Sequence, residues 1–501
     1  CDERRPSCSR CLKLKRTCLG YRNQADLIFR DESSQMQARS RQRRACTSDS
    51  NRSRLRNPTL SRAFAQVQIA TTLGRLSPPV DEVVISRFYY TTLETLSDED
   101  PVHFLHSQLP SLYERGSPDS ALRLATEAIS YAASRQQIQK GALLARERYV
   151  KAVKAVRQTV QDPIEARNPA VLYAILLLSG YETMIWDLDS SLAWGTHLDG
   201  AAAVAKMQVA SHSNSVLSRP MLIVMSQKVL NHMQSCQPMD GAFPVSNVTT
   251  ASLENPEEAL FSTAAKIPNL QHQSSRVFAR SSAINGTEVE ELLRCAERID
   301  EELLDWADTV RETWPYTVAV NIDQPSNSNY TPHELHRYQS FYIARVWNCY
   351  RVSRLIVQSI LLRANSWLSA SRKLDKGYHD VEASKGLSTR LVNDICASVP
   401  FLLGHDLSRI KLPSTRNGSI REMRSEHEVK GREQAATGRF SLIWPLRVAC
   451  GSSSVPRAQK DWIRLQLQHL AECGEAPAHL AGLTESQILR GGSDLIRFDC
   501  V

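Results

Sequence analysis

What this chain of 501 residues lacks narrows its class before anything it contains does. No apolar run approaches the roughly 20 residues that span a bilayer. The longest, Ala170-Val-Leu-Tyr-Ala-Ile-Leu-Leu-Leu178, is about half that and is expected to be a buried core helix. No basic-then-apolar signal segment leads it. There is no phosphate-binding P-loop, no G-x-S-x-G elbow and no dinucleotide glycine fingerprint, so an enzyme is not expected. Alternating strand patterns are scarce and no fixed-period repeat recurs, which argues against a sheet protein and a regular solenoid.

The cysteines are equally informative by where they are not. Of twelve, four crowd at positions 1, 8, 11 and 18, and the other eight are scattered singly. A secreted disulfide scaffold would be short and evenly rich in cysteine, so a reducing compartment is expected. The sequons at Asn247, Asn285 and Asn417 then read as chance matches, and Cys349 as a small core hydrophobe. Hydrophobic residues at 42% and charged residues at 23% are ordinary for a globular chain.

Charge is localised. Residues 1–62 carry sixteen Lys/Arg against six Asp/Glu, a net of +10, which leaves −2 for residues 63–501. Basicity confined to one end marks a nucleic-acid-binding arm rather than a generally basic protein. Residues 21–58 have few large apolar residues and read as a flexible basic linker. Within it Arg39, Arg41, Arg43 and Arg44 read as an import signal, as phosphate contacts, or as nothing more than a solvated stretch.

From about residue 59 the period is helical. Leu122, Ala125, Ile129 and Ala132 form one stripe; Tyr149, Val153, Val156 and Val160 form another. The longest helix is expected from about 333 to 365, on Leu335, Tyr338, Tyr342, Val346, Cys349, Val352, Ile356 and Ile360. Thr331-Pro332-His333-Glu334 would be its capping box, with proline at the first helical position. His333 and His336 are three apart rather than four, so they do not form a zinc-protease pair. Polar breaks are expected near 208–218, 270–286, 315–330, 371–387 and 411–438.

The first four cysteines are spaced C-x6-C-x2-C-x6-C. Thiolates are zinc ligands, and four sulfurs about 2.3 Å from one ion complete a tetrahedron. Arg10, Lys13, Lys15 and Arg16 lie among them and favour the thiolate form. The competing reading is a redox-sensitive thiol pair.

The stretch CDERRPSCSRCLKLKRTCLGY resembles the second half of the fungal binuclear zinc-cluster domain, in which six cysteines hold two zinc ions. The resemblance implies that Cys1 is a terminal ligand of the first ion, Cys8 a bridging ligand, and Cys11 and Cys18 terminal ligands of the second. The first two cysteines and the helix that reads a CGG-type triplet have no counterpart here. The chain is therefore expected to be an N-terminally truncated fragment, holding at most one Zn2+ where the intact cluster holds two. Arg10, Lys13, Lys15 and Arg16 are expected to touch the DNA backbone rather than bases, the bland alternative being that they only solubilise the module.

Four further stretches resemble the helical regulatory region that follows the cluster in such factors: LYAILLLSGYETM (172–184), WGTHLDGAAAV (194–204), RYQSFYIARVWNCYRVSRLIVQSILL (337–362) and FSLIWPLRVACG (440–451). The closing DWIRLQLQHLAECG (461–474) fits as well. Trp194, His197 and Gly200 are expected to be packing residues.

The expected fold class is all-α: a large irregular helical regulatory domain preceded by a small, partial zinc-binding module and a flexible linker. Its divisions are 1–20 (half cluster), 21–58 (linker), 59–480 (helical domain) and 481–501 (C-terminal tail). The resemblance implies a nuclear, zinc-dependent, sequence-specific regulator of RNA polymerase II transcription in a fungus. Its partners would be double-stranded DNA with CGG-type half-sites, transcriptional co-regulators and a second copy in a homodimer, with no membrane. Residues 19–76 hold no heptad run of three or more repeats, so a coiled-coil dimer is not expected. The alternative is a nuclear helical co-regulator or relic, acting through protein partners without autonomous DNA binding.

Overall fold

The computed structural model describes residues 79–472, apart from 97–98, 136, 186–189, 210–217, 240–254, 280–283, 321–329, 373–375, 408 and 412–427. The described residues are all-α, with a single two-stranded ribbon. In chain order the helices are α1 (Val80–Thr95), α2 (Pro101–Arg115), α3 (Ala121–Ala133), α4 (Gly141–Thr159), α5 (Pro169–Met184), α6 (Ser190–Val209), α7 (Ser218–Ser235), α8 (Pro256–Ala264), α9 (Ile267–Ala279) and α10 (Gly286–Thr313). Strands β1 (Thr317–Val320) and β2 (Glu334–Arg337) follow, then α11 (Phe341–Arg372), α12 (Lys376–Leu402), α13 (Glu428–Gly451) and α14 (Arg457–Glu472).

Two apolar cores organise these helices. The first gathers α1 to α6 around α5, whose residues Val171–Ser179 are buried without a break. A helix apolar on every side must lie at a centre, and α5 does. Asn168 starts it, its side chain accepting from the Ala170 N–H at 3.0 Å, with Pro169 at the first helical position. The second core gathers α8 to α14 around α11. Helix α7 serves both, giving Ile223 and Val224 to the first core and Leu222, Met225, Val229 and Met233 to the second. Among the described residues no helix is long and apolar enough to cross a membrane.

The stripe Leu122, Ala125, Ile129 and Ala132 is buried as expected. Asn285, one of the sequon residues, caps α10: its side chain accepts from the Thr287 N–H at 3.1 Å and the Thr287 hydroxyl at 2.8 Å. Cys349 packs against the second core, and burial pushes its thiol up to about 12.

One expected helix start is overturned. Residues 334–337 are strand β2, paired antiparallel to β1 with His336 opposite Val318, so Thr331–Glu334 is not a capping box. The helix begins at Phe341, where Ser340 caps it by accepting from the Ile343 N–H at 3.2 Å. Leu335 and Tyr338 therefore leave the helical stripe. His336 and Tyr338, two apart and both buried, follow the strand period instead. Three polar breaks also shrink: α9 occupies most of 270–286, α12 begins at Lys376, and α13 begins at Glu428.

Gly438 on α13 lies against the carbonyl of Leu402 at the end of α12, and an added methyl would collide with that oxygen. In an exposed helix Gly→Ala gains about 1 kcal/mol. Here the obstacle is backbone and cannot swing aside, so Gly438→Ala is expected to destabilise by about 1–3 kcal/mol. Urea unfolding followed by tryptophan fluorescence checks this, and a raised midpoint would contradict it.

Candidate functional site

The residues singled out for zinc, Cys1, Cys8, Cys11 and Cys18, lie outside the described residues, as do Arg10, Lys13, Lys15 and Arg16. So do the linker 21–58 and the tail 481–501. His197 and Gly200 lie on α6 and are buried. His197 Nε2 stands 3.0 Å from the Tyr149 hydroxyl and 4.0 Å from Glu182, and Tyr149 stacks on Tyr181 at 4.4 Å. Burial pushes His197 down to about 4, so it packs as a neutral ring.

The described residues line a different site, a half-open cavity of about 660 Å³ beside the second core. Helix α11 lines it with Trp347, Tyr350, Arg351 and Arg354, spaced i, i+3, i+4, i+7 and so on one face. Helix α12 faces it with Leu387, Arg390, Leu391 and Asp394 at the same spacing. Leu304 and Arg311 of α10 form a third wall, and Tyr316, Tyr330, Pro332, His333 and Glu334 bring in the flanks of the ribbon.

Its floor is a buried arginine. Arg351, 1% exposed, donates through Nη1 to the Tyr338 hydroxyl and to Asn348 Oδ1, both at 2.8 Å. Its guanidinium lies over the rings of Tyr316, Tyr338 and Trp347, at 5.3, 5.8 and 5.9 Å. Asn348 in turn donates to Ser398 at 2.9 Å, tying α11 to α12. One turn on, Arg354 grips Asp300 of α10 in a fork, Nε to Oδ1 at 2.8 Å and Nη2 to Oδ2 at 2.7 Å. Burial, countered by Arg351, pushes the Asp394 carboxyl upward.

Glu334, His336 and Asp394 place ligand atoms within 4.8 Å of one another, a grouping that raises the question of a metal. The hydrogen bonding answers it. His336 Nδ1 lies 3.4 Å from Arg351 Nη2 and 3.1 Å from the Tyr338 hydroxyl. Arginine only donates, so Nδ1 is the acceptor and the neutral ring carries its proton on Nε2, the atom that faces Glu334 at 4.0 Å. Burial and the Arg351 charge hold this histidine down at about 2. A ring with its outward nitrogen protonated offers no lone pair to a cation, and Arg351 repels one.

None of these cavity residues was read as a site residue: Pro332, His333 and Glu334 were expected to open a helix, and Trp347, Tyr350 and Arg351 entered only within the stretch 337–362. A signal was present: Arg351 and Arg354 are two charges inside an otherwise apolar helix, and a buried polar group carries more information than an exposed apolar one.

The chain is 22% identical over 323 residues to the transcription factor dbaG of Emericella nidulans, covering 62% of this chain and 68% of that protein. Residues 1–78 and 473–501 together are far too short to supply a match of that length, so it draws mainly on the helical region. No family model matches the chain, and no solved structure matches it.

Proposed function

We propose that this chain is part of a zinc-dependent, sequence-specific DNA-binding regulator of RNA polymerase II transcription in a fungal nucleus, the helix that would read the CGG-type triplet having no counterpart in this sequence. The observation that carries the reading is the match to a fungal transcription factor along most of the helical region. The cysteine spacing supplies the chemistry. Cys1, Cys8, Cys11 and Cys18 would hold the zinc, a set of four thiolates being the donor group that closed structural zinc sites use. Bound zinc holds such a small module folded. Arg10, Lys13, Lys15 and Arg16 then add salt-dependent phosphate affinity, and co-regulators and a second copy are the protein partners.

Metal analysis of the purified chain is expected to give about one zinc per chain, lost in Cys11→Ser; two per chain, or none, would contradict the ligand assignment. Function is tested by mapping genomic occupancy of the protein expressed from its own locus, then by gel shift on the occupied sites. CGG-containing sites and a shift abolished by a zinc chelator are expected. The similarity rests mainly on the helical region, which also favours a second reading, a nuclear co-regulator without DNA binding of its own. Occupied sites lacking a CGG motif, with no shift by the purified protein, would select that reading. No discrete occupancy would overturn both.

A further inference from the structure

We infer that residues 60–76 of this chain dock along the outward face of α1, antiparallel to it. This inference concerns the helical region and does not rest on the DNA-binding reading.

Helix α1 turns one face to the first core, where Val84, Ile85 and Phe88 are buried. On its other side Val80, Val83 and Tyr90 are 57%, 49% and 60% exposed. Exposed apolar residues scattered singly are ordinary. These three stand at i, i+3 and i+10, on one side of the helix, and make a stripe about 15 Å long. Exposed Glu82, Ser86 and Arg87 rim it, the pattern of a surface that takes a partner.

The occupant is supplied by the chain itself. Residues 60–76, LSRAFAQVQIATTLGRL, hold six large apolar side chains, two arginines and no acid. Such a stretch gains by burial, unlike the basic stretch 21–58 before it. Counted outward from Ser77-Pro78-Pro79, the two sides match. Leu76, Leu73 and Ile69 recede by steps of 3 and 4, while Val80, Val83 and Arg87 advance by steps of 3 and 4. Those steps keep side chains on one helical face, and three residues suffice to join antiparallel helices. Folded back there, Leu76 meets Val80, Leu73 meets Val83, and Ile69 lies over the Arg87 stem. The smaller Ala65 comes level with Tyr90. So short a tether gives the segment an effective concentration on the order of millimolar, above that of a second copy in dilute solution. Docking makes the basic stretch leave the helical region beyond the Tyr90 end of α1.

Amide hydrogen exchange of the full chain, read by mass spectrometry at a low and a high protein concentration, tests this. Peptides from 60–76 are expected to exchange about tenfold or more slower than an unprotected chain, equally at both concentrations. Val83→Asp and, separately, Leu73→Asp are each expected to remove that protection while peptides of α5 keep theirs. Leu73→Asp acts from the segment, so its effect does not depend on how α1 tolerates a charge. Leu465→Asp, at an exposed position of α14, is expected to change nothing. Unprotected exchange in the unaltered chain would overturn the inference, as would protection that survives both substitutions. Protection found only at high concentration would also overturn it, assigning the stripe to a second copy.

Discussion

Taking the protein from pH 7.5 to pH 5 is expected to unfold much of the helical region. His106, His197 and His336 are each under 10% exposed and neutral in the fold. Burial lowers His106 and His197 to about 4, and burial with the Arg351 charge lowers His336 to about 2. An unfolded histidine titrates near 6.5. Between about 6.5 and 4 the unfolded chain therefore binds more protons than the folded one, and stability falls as pH falls. It is fully present above 6.5 and drains through that window. At pH 5 each ring costs about 2 kcal/mol, and three together cost on the order of 6 kcal/mol, a large share of a typical domain's 5–15 kcal/mol. The Nδ1 atoms of His106 and His197 are buried without a hydrogen-bond partner, and the only charge near His197 is Glu182 at 4.0 Å among the described residues, too distant for a hydrogen bond. Urea midpoints measured by circular dichroism at the two pH values check this, and equal midpoints would refute it. His106→Gln should remove about a third of the difference.

The second large effect is expected from Arg351→Ala. The substitution withdraws the hydrogen bonds to Tyr338, Asn348 and His336, and the cation beneath three aromatic rings. It leaves buried acceptors unanswered and opens a void at the foot of the cavity. Breaking a buried charged network by removing one partner costs about 3–5 kcal/mol. Lysine is not a substitute, because a single ammonium cannot serve Tyr338 and Asn348 together while lying flat under the rings. Arg351→Lys should recover less than half of the loss. Thermal unfolding followed by circular dichroism distinguishes the outcomes: wild-type stability in Arg351→Ala would mean that the network carries little weight.

Legibility differed between elements for physical reasons. The all-α class followed from helical stripes such as Leu122 to Ala132, and the core position of α5 from a run with no polar face. The start of α11 misled because Leu335 and Tyr338 satisfy two periods at once. They fall on the helical stripe of Tyr342 and Val346, while Tyr338 also alternates with His336 as a strand residue would. Only the pairing of 334–337 with 317–320 decides between the two, and that contact joins segments outside any local window. The cavity was illegible for a related reason. Its walls come from α10, the ribbon, α11 and α12, each of which reads alone as an amphipathic element. Arg351 and Arg354 were the exception, visible as charges where the pattern demanded apolar residues.

A buried cluster joins the two halves of the chain and has a consequence for how the protein is made. Asp100, which caps α2 by accepting from the Val102 N–H at 2.9 Å, lies 3.7 Å from Arg345 on α11. Glu257, at the start of α8, lies 3.3 Å from the same guanidinium and accepts from the Tyr342 hydroxyl at 3.0 Å. On a ribosome adding ~5–20 residues per second, Asp100 emerges on the order of ten seconds or more before Arg345, the one cation among the described residues placed to neutralise it and Glu257 together. Until Arg345 arrives, α2 and α8 cannot close over their carboxylates without burying uncompensated charge. The first core can assemble during synthesis, but its seam with the second must wait. A nascent chain stalled before residue 345 would thus present an open, acidic face to chaperones, and expression of the N-terminal half alone would meet the same obstacle permanently.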